Sequence, residues 1–334
     1  MKYFVTGGTG FVGGSLIRQL LAAGHHVHAL VRDPSYARDL ASAGATLFQG
    51  DVAERSTLAP AMANANGVFH VAGWYKVGSN ARDEAHRVNV EGTRNVLEVM
   101  RDLEIPKGVY TSTLAVFSDT HGRLVDEIYF YKGPHLSFYD QTKWDAHYTV
   151  ALPMMENGLP LVIVQPGLIY GPGDASLMHE TLTRFVSGSL MAAPKSTVYC
   201  WSHVDDAAKA HILAMEARKP GETYIIAGPP SSLMATLELA SEIIGIPMPS
   251  LRPNPALARF SAELAALAER VIPIPLFYRS EVLRSSAGVT YMGSNAKART
   301  ELGYAPRSLE EGLPPTLEWE MPQLKRFDGA MPAS

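Results

Sequence analysis

The sequence is poor in the features that would place it outside the ordinary globular class. It holds one cysteine, Cys200, which excludes an internal disulfide framework and fits a reducing compartment. It has no basic excess: 29 Lys and Arg stand against 33 Asp and Glu, a net charge of -4. The basic residues are dispersed, so the electrostatic footprint of a nucleic-acid binder is missing. No uninterrupted apolar run is long enough to span a bilayer. Met1-Lys2 leads directly into an apolar strand, from which we expect no signal peptide and a cytoplasmic protein. The histidines His25, His26 and His28 lack a companion set at metal-ligand spacing, so no metal is expected. With 334 residues, of which 46% are hydrophobic, the chain has enough apolar side chain for one large core or two modest ones.

What is present begins at the start of the chain. Thr6-Gly7-Gly8-Thr9-Gly10-Phe11-Val12-Gly13 lies between the apolar run Tyr3-Phe4-Val5 and a helical pattern of Phe11, Leu16, Ile17, Leu20 and Leu21. Strand, glycine turn and helix start form the context in which glycines let a backbone approach a pyrophosphate, with the N–H groups and positive dipole end of the helix facing its charge. Two registers fit, Gly8-x-Gly10-x-x-Gly13 and Gly7-x-x-Gly10-x-x-Gly13. The alternative is a glycine-rich turn without ligand.

Strands follow at Val27–Val31, Ala45–Phe48, Gly67–Val71, Gly108–Thr111 and Pro160–Val164, with helical stretches between them. Alternation of this kind predicts a Rossmann-type doubly wound parallel sheet in the α/β class. Beyond Gly171-Pro172-Gly173 the rhythm breaks, except for a late strand at Thr223–Ile226. We therefore expect a dinucleotide-binding unit of residues 1–172 with about 204–228. A smaller substrate lobe would take about 173–203 with 229–328, leaving 329–334 as a disordered tail.

Two sets of residues carry chemistry. Tyr139 and Lys143 are four residues apart, on one face of an expected helix, where an ammonium lowers the pKa of a phenol and makes it a usable acid and base. A solvated helix face is the plainer reading in a chain with 14 tyrosines. Thr111-Ser112-Thr113 sets hydroxyls at the carboxyl end of a parallel strand, where a substrate carbonyl could accept a hydrogen bond. Arg32, at the end of the second strand, stands where an acidic residue would bind a free ribose hydroxyl. An arginine there suits a 2′-phosphate, which favours NADP(H) and leaves NAD(H) possible, with Asp33 as the competing hydroxyl acceptor and Arg38 as a second phosphate contact. Asp205-Asp206 reads as a helix N-terminal cap rather than a catalytic pair.

In order along the chain, the glycine fingerprint, Gly50-Asp51-Val52, His70-Val71-Ala72-Gly73, Asn89–Asn95, Thr111–Thr113, Tyr139-x-x-x-Lys143, Gln165–Gly173 and His203–Asp206 resemble the extended short-chain dehydrogenase/reductase superfamily, also described as the NAD-dependent epimerase/dehydratase family. Leu30–Pro34, Pro166-Gly167-Leu168 and Asn295–Ala298 with Leu302-Gly303-Tyr304 are similar to its dihydroflavonol reductase-like branch. The resemblance implies Tyr139 as general acid/base, Lys143 as its tuner and ribose ligand, and Thr113 as the hydroxyl that orients the carbonyl. It implies cofactor contacts at Gly7, Gly10, Phe11, Val12, Gly13, Arg32, Asp51, Val52, Val71, Ala72, Gly73, Tyr139, Lys143 and Pro166. Relatives that act on nucleotide sugars carry an Arg near Gln165 and an Asn near Leu168, both absent here.

The expected activity is therefore NADP(H)-dependent reduction of a largely apolar ketone or aldehyde. An NAD-dependent sugar epimerase or dehydratase and a non-catalytic nucleotide-binding regulator are the alternatives. Met178, Leu182, Phe185, Phe260, Leu264, Leu267, Phe277 and Tyr278 are candidate lining of an apolar substrate cavity, as are Trp74, Tyr75, Phe130, Tyr131, Tyr170 and Trp201. A homodimer is possible through the apolar helix faces around Val88–Leu103 and Ala146–Met154.

Overall fold

The computed structural model describes residues 1–217 and 219–327; the expected tail, 329–334, lies outside them. Among the described residues eleven strands occur, in chain order β1 (Lys2–Thr6), β2 (His26–Val31), β3 (Thr46–Gln49), β4 (Gly67–His70), β5 (Gly108–Thr111), β6 (Leu161–Pro166), β7 (Leu168–Tyr170), β8 (Val198–His203), β9 (Thr223–Ile226), β10 (Pro230–Ser232) and β11 (Thr290–Tyr291). Seven of them form one parallel sheet, ordered β3-β2-β1-β4-β5-β6-β9. The order reverses between β1 and β4, which opens a crevice at the carboxyl edge there.

The apolar runs of the strands are continuous because helices cover both faces of the sheet. Val5, Phe69, Val109, Val162 and Val164 pack on one face with Leu16, Ile17 and Ala208. Their neighbours Phe4, Val68, Tyr110, Leu161 and Ile163 pack on the other with Leu97 and Met100. Strand periodicity thus divides one apolar string between two cores.

After Gly167 the chain leaves this sheet. β7, β10 and β11 all pair with β8 in a second, four-stranded sheet, so the crossing falls at Gly167, ahead of the break that the Gly171-Pro172-Gly173 motif suggests. Glycine is required at that point: a Cβ on Gly167 would stand 2.0 Å from the Cys200 carbonyl oxygen. The lobe beyond has its own core of Tyr170, Leu182, Phe185, Trp201, Leu237 and Leu313. The helix Val204–Glu216 then returns to cover the main sheet and leads to β9. Its cap is His203, which accepts from the Asp205 N–H, and not the Asp205-Asp206 pair expected from sequence. Those two carboxylates do other work. Asp205 accepts from the Ser15 hydroxyl at 2.7 Å, and Asp206 holds the Arg307 guanidinium in a two-pronged pair at 2.9 Å.

One buried charge ties the lobe together. Glu320, fully buried on the helix Leu309–Phe327, accepts hydrogen bonds of 2.8 Å from His179 and from Thr183 on the helix Leu177–Val186. Burial raises its pKa and these two donors draw it back. His179→Ala leaves that acceptor short of a partner, and urea denaturation should show a loss of about 1–3 kcal/mol; an unchanged midpoint would contradict this role.

Candidate active site

The crevice is built first by backbone. Gly7 sits at φ +72°, in the left-handed region, and a Cβ on it would come within 2.6 Å of the Ala72 nitrogen. A Cβ on Gly13 would stand 2.1 Å from the Gly7 carbonyl oxygen, backbone against backbone. Gly10 caps the helix Phe11–Ala22 in extended conformation and donates its N–H to Gly7. A Cβ on Gly8 would meet chiefly the flexible tip of Ile17. The turn therefore uses the Gly7-x-x-Gly10-x-x-Gly13 register, and leaves the first N–H groups of the helix at its mouth.

The floor beside it is a polar ladder. Thr6 accepts from the Ala72 N–H at 3.2 Å and is bonded to His70 Nδ1 at 2.8 Å; His70 Nε2 reaches Thr93 at 3.0 Å, and Thr93 donates to the Asn89 carbonyl. Burial, with Lys143 nearby, lowers the His70 pKa to about 3. The ring is neutral and carries its proton on Nε2, the tautomer that satisfies every partner. Asn89 clamps the loop after β4 by accepting from the Trp74 N–H (2.7 Å) and donating to the Trp74 carbonyl and to Thr142 (both 2.9 Å). Asn89 thus fastens the Val71–Trp74 segment to the helix that carries Tyr139. Sequence reasoning placed it in a motif without seeing this bridge.

That helix, Phe138–Asp145, is capped by Ser137, whose hydroxyl accepts from the Asp140 N–H. It continues through a π turn, Ala146–Ala151, which packs against a second π turn at Arg87–Glu91. Lys143 is 5% exposed. Its ammonium donates to the Thr111 carbonyl at 2.8 Å and to the Tyr110 hydroxyl at 3.3 Å, over the Tyr110 ring. Ser112 is tied to His147 Nδ1 at 2.8 Å and Thr111 to His211 Nε2 at 2.8 Å, so the end of β5 is fixed on both sides. Thr113 caps the short 3-10 turn Leu114–Phe117 and lies close enough to the Tyr139 phenol to pull its pKa down.

The electrostatics differ from what spacing alone predicts. Burial raises the Tyr139 pKa, Asp140 raises it further, and only Thr113 opposes them. Desolvation brings the pKa of Lys143 itself down to about 7, and its ammonium bonds to Thr111 and Tyr110. Asp140, 3% exposed, has one carboxylate oxygen without a hydrogen-bond partner, and burial lifts its pKa to about 7. Tyr199 and Tyr291, stacked with centroids 5.9 Å apart, both respond to its charge. Buried Asp140 and this half-buried tyrosine pair form a cluster next to Tyr139 that no sequence signal identified.

At the far end of the crevice Asp51 accepts from Arg87 at 3.3 Å and from the Ala53 N–H at 2.9 Å, with Val52 buried beside it. Asp33 accepts from the Ser35 N–H at 2.8 Å, a contact that lowers its pKa, while Arg32 and Arg38 are exposed. Pro166 ends β6 at the same edge. Several candidate cavity residues lie elsewhere. Met178, Leu182, Phe185, Tyr170 and Trp201 are buried in the lobe core, and Phe277 packs against it. Phe260, Leu264 and Leu267 face outward at 51–60% exposure, because alanines fill the inner face of their helix, and Tyr278, on the short turn Leu276–Tyr278, is 48% exposed. Tyr75 and Phe130 are also exposed.

Residues 3–227 match the family model of the NAD dependent epimerase/dehydratase family. The chain is 33% identical over 331 residues to a putative dihydroflavonol 4-reductase of Synechocystis sp., covering 95% of this chain and 94% of that protein. It is 33% identical over 335 residues to the 2-alkyl-3-oxoalkanoate reductase of Stenotrophomonas maltophilia, covering 94% and 97%. Its fold is similar to the crystal structure of gox2253, with a TM-score of 0.81, 31% identity and 99% of each chain covered.

Asp140 gives this site a pH signature. Its folded pKa of about 7 lies above the ordinary 3.8, so the folded chain keeps a proton that the unfolded chain releases in between. The stability it contributes is complete below pH 3.8 and lost as pH rises through 7. Asp140→Asn should therefore raise the melting temperature at pH 8 and change it little at acid pH, with a gain at pH 8 on the order of a few kcal/mol. A gain independent of pH would contradict it.

Proposed function

We propose that this chain, which belongs to the NAD-dependent epimerase/dehydratase family and is an NAD(P)-dependent oxidoreductase, uses NADPH to reduce the ketone or aldehyde of a largely apolar small molecule. The observation that carries the reading is the convergence of Thr113, Tyr139 and Lys143 at the carboxyl end of β5, beside a glycine turn whose space a Cβ would fill. The residues present fit a dinucleotide. The amides of Phe11 and Val12 at the helix start would face its pyrophosphate, Arg32 a 2′-phosphate, Asp51 and Val52 the adenine, and Lys143 the ribose hydroxyls. Val71, Ala72, Gly73 and Pro166 would border the rest of it. When bound, the cofactor supplies a hydride from its nicotinamide.

The protein's share is orientation and one proton. Thr113 donates a hydrogen bond to the carbonyl oxygen, which fixes the face presented and stabilises the charge that develops there. Tyr139 then gives up its phenolic proton to that oxygen. Its raised pKa suits this direction, since the phenol is fully protonated at neutral pH and the alkoxide it meets is far more basic. Lys143, one helical turn away, titrates near neutrality and donates to the Thr111 carbonyl.

We favour NADPH over NADH because Arg32 is exposed at the end of β2 and one oxygen of Asp33 already caps the turn that follows. The reductase names of relatives at 33% identity favour reduction over epimerisation. So does the absence of an Arg near Gln165 and an Asn near Leu168, which would hold a substrate pyrophosphate.

Titration with both cofactors should show tighter NADPH binding; tighter NADH binding would overturn that preference. Tyr139→Phe should abolish turnover and leave NADPH binding nearly intact, whereas Lys143→Ala should weaken both. Thr113→Val should lower kcat by roughly 10²-fold through loss of one oxyanion donor. Initial rates against aromatic, isoprenoid and steroid carbonyls check these values. Near-normal turnover by Tyr139→Phe would contradict the mechanism, and micromolar binding of a nucleotide sugar without carbonyl reduction would favour the epimerase.

A further inference from the structure

The helix Pro255–Ala268 is built inside out. Its buried residues are Ala258 and Ala262, on the face toward the helix Ser280–Ser286. Leu257, Phe260, Leu264 and Leu267, with Val271 and Ile272 just beyond, are each 51–84% exposed. Spacings of three and four residues place the four helical ones, Leu257, Phe260, Leu264 and Leu267, on a single outward stripe. An ordinary surface helix turns such a stripe to its core. By contrast, the helix faces expected to pair in a dimer leave only Leu103 among the exposed large apolar side chains of the described residues.

The charges around the stripe are net positive. Residues 251–285 contain five arginines and three glutamates, in a chain whose net charge is -4. Glu263 faces Arg284 at 3.6 Å, Glu269 accepts from the hydroxyl and N–H of Ser280, and Glu281 accepts from the Gly78 N–H at 3.1 Å. Arg252, Arg259 and Arg270 are exposed and, among the described residues, have no carboxylate within ion-pair distance. An apolar stripe flanked by unpaired guanidinium groups is complementary to a surface that is apolar beneath and anionic above. A second copy of the chain is a poor match. A two-fold contact would set these arginines against themselves, with the nearby glutamates already engaged.

We infer that this segment docks the protein on an anionic phospholipid leaflet, the stripe entering the boundary between headgroups and acyl chains and Arg252, Arg259 and Arg270 meeting lipid phosphates. The attachment is peripheral: no helix among the described residues is long and apolar enough to cross a membrane. The docking segment is joined to the site. Arg279 donates to the Gly78 carbonyl at 2.7 Å, on the loop whose root at Trp74 is clamped by Asn89. A docked enzyme would meet lipid-soluble carbonyls at their source, a consequence that rests on the function proposed above; the docking itself does not.

Vesicle flotation of the full chain, without cofactor or substrate, tests docking separately from catalysis. The protein should float with vesicles of equal parts phosphatidylcholine and phosphatidylglycerol, remain unbound with phosphatidylcholine alone, and be released by high salt. Leu264→Glu with Leu267→Glu, and separately Arg259→Glu with Arg270→Glu, should each reduce the floated fraction at least about tenfold. Both pairs of positions are exposed, and an unchanged circular dichroism spectrum and NADPH affinity would show the variants folded. Absence of flotation, equal binding to both vesicle types, or variants that float like the parent would each overturn the proposal. A dimer that Leu264→Glu with Leu267→Glu dissociates, with no flotation of the parent, would assign the face to a second copy.

Discussion

An ammonium with almost no access to water organises this site. Removing the Lys143 charge from solvent is costly unless hydrogen-bond acceptors replace the lost water. The Thr111 carbonyl and the Tyr110 hydroxyl supply that replacement from the last residues of β5. The helix carrying Lys143 must therefore lie against the end of that strand. Tyr139, one turn earlier, is then brought beside Thr113. The surrounding bonds serve the same end: Ser112 to His147, Thr111 to His211, and Asn89 to Trp74 and Thr142 hold strand, helix and loop in one relation.

Low dielectric around the lysine also shapes the neighbouring titrations. Desolvation dominates at His70, His147, Asp140, Tyr139 and Lys143, moving each toward its neutral form. At neutral pH His70 and His147 are therefore uncharged, while Asp140 and Lys143 each titrate near 7. Burial also keeps the Tyr139 phenol protonated at neutral pH.

Much of this was legible in the sequence because it is local. Strand runs, the glycine turn and the Tyr139–Lys143 spacing each depend on a few consecutive residues, and their placement at one sheet edge follows from parallel topology. The choice between glycine registers was not legible: it turns on Gly7 at positive φ and on the contact of Gly13 with the Gly7 carbonyl. The bridge from Asn89 to Thr142 and the cluster of Asp140, Tyr199 and Tyr291 join residues 50 or more positions apart, and no spacing rule reports them. The direction faced by Phe260, Leu264 and Leu267 was misread for a different reason. Periodicity shows that a stripe exists, but a helix with alanines on the opposite face can pack by either side.

The claim that everything here converges on is hydride delivery to a carbonyl under the control of Tyr139. NADPH carrying deuterium at the transferable position of its nicotinamide, incubated with an apolar ketone and followed by mass spectrometry of the product, measures that event directly. The account predicts one deuterium on the carbinol carbon of the product and none with Tyr139→Phe. Product without deuterium, or no acceptor reduced while tightly held NAD is released from the denatured protein, would contradict it.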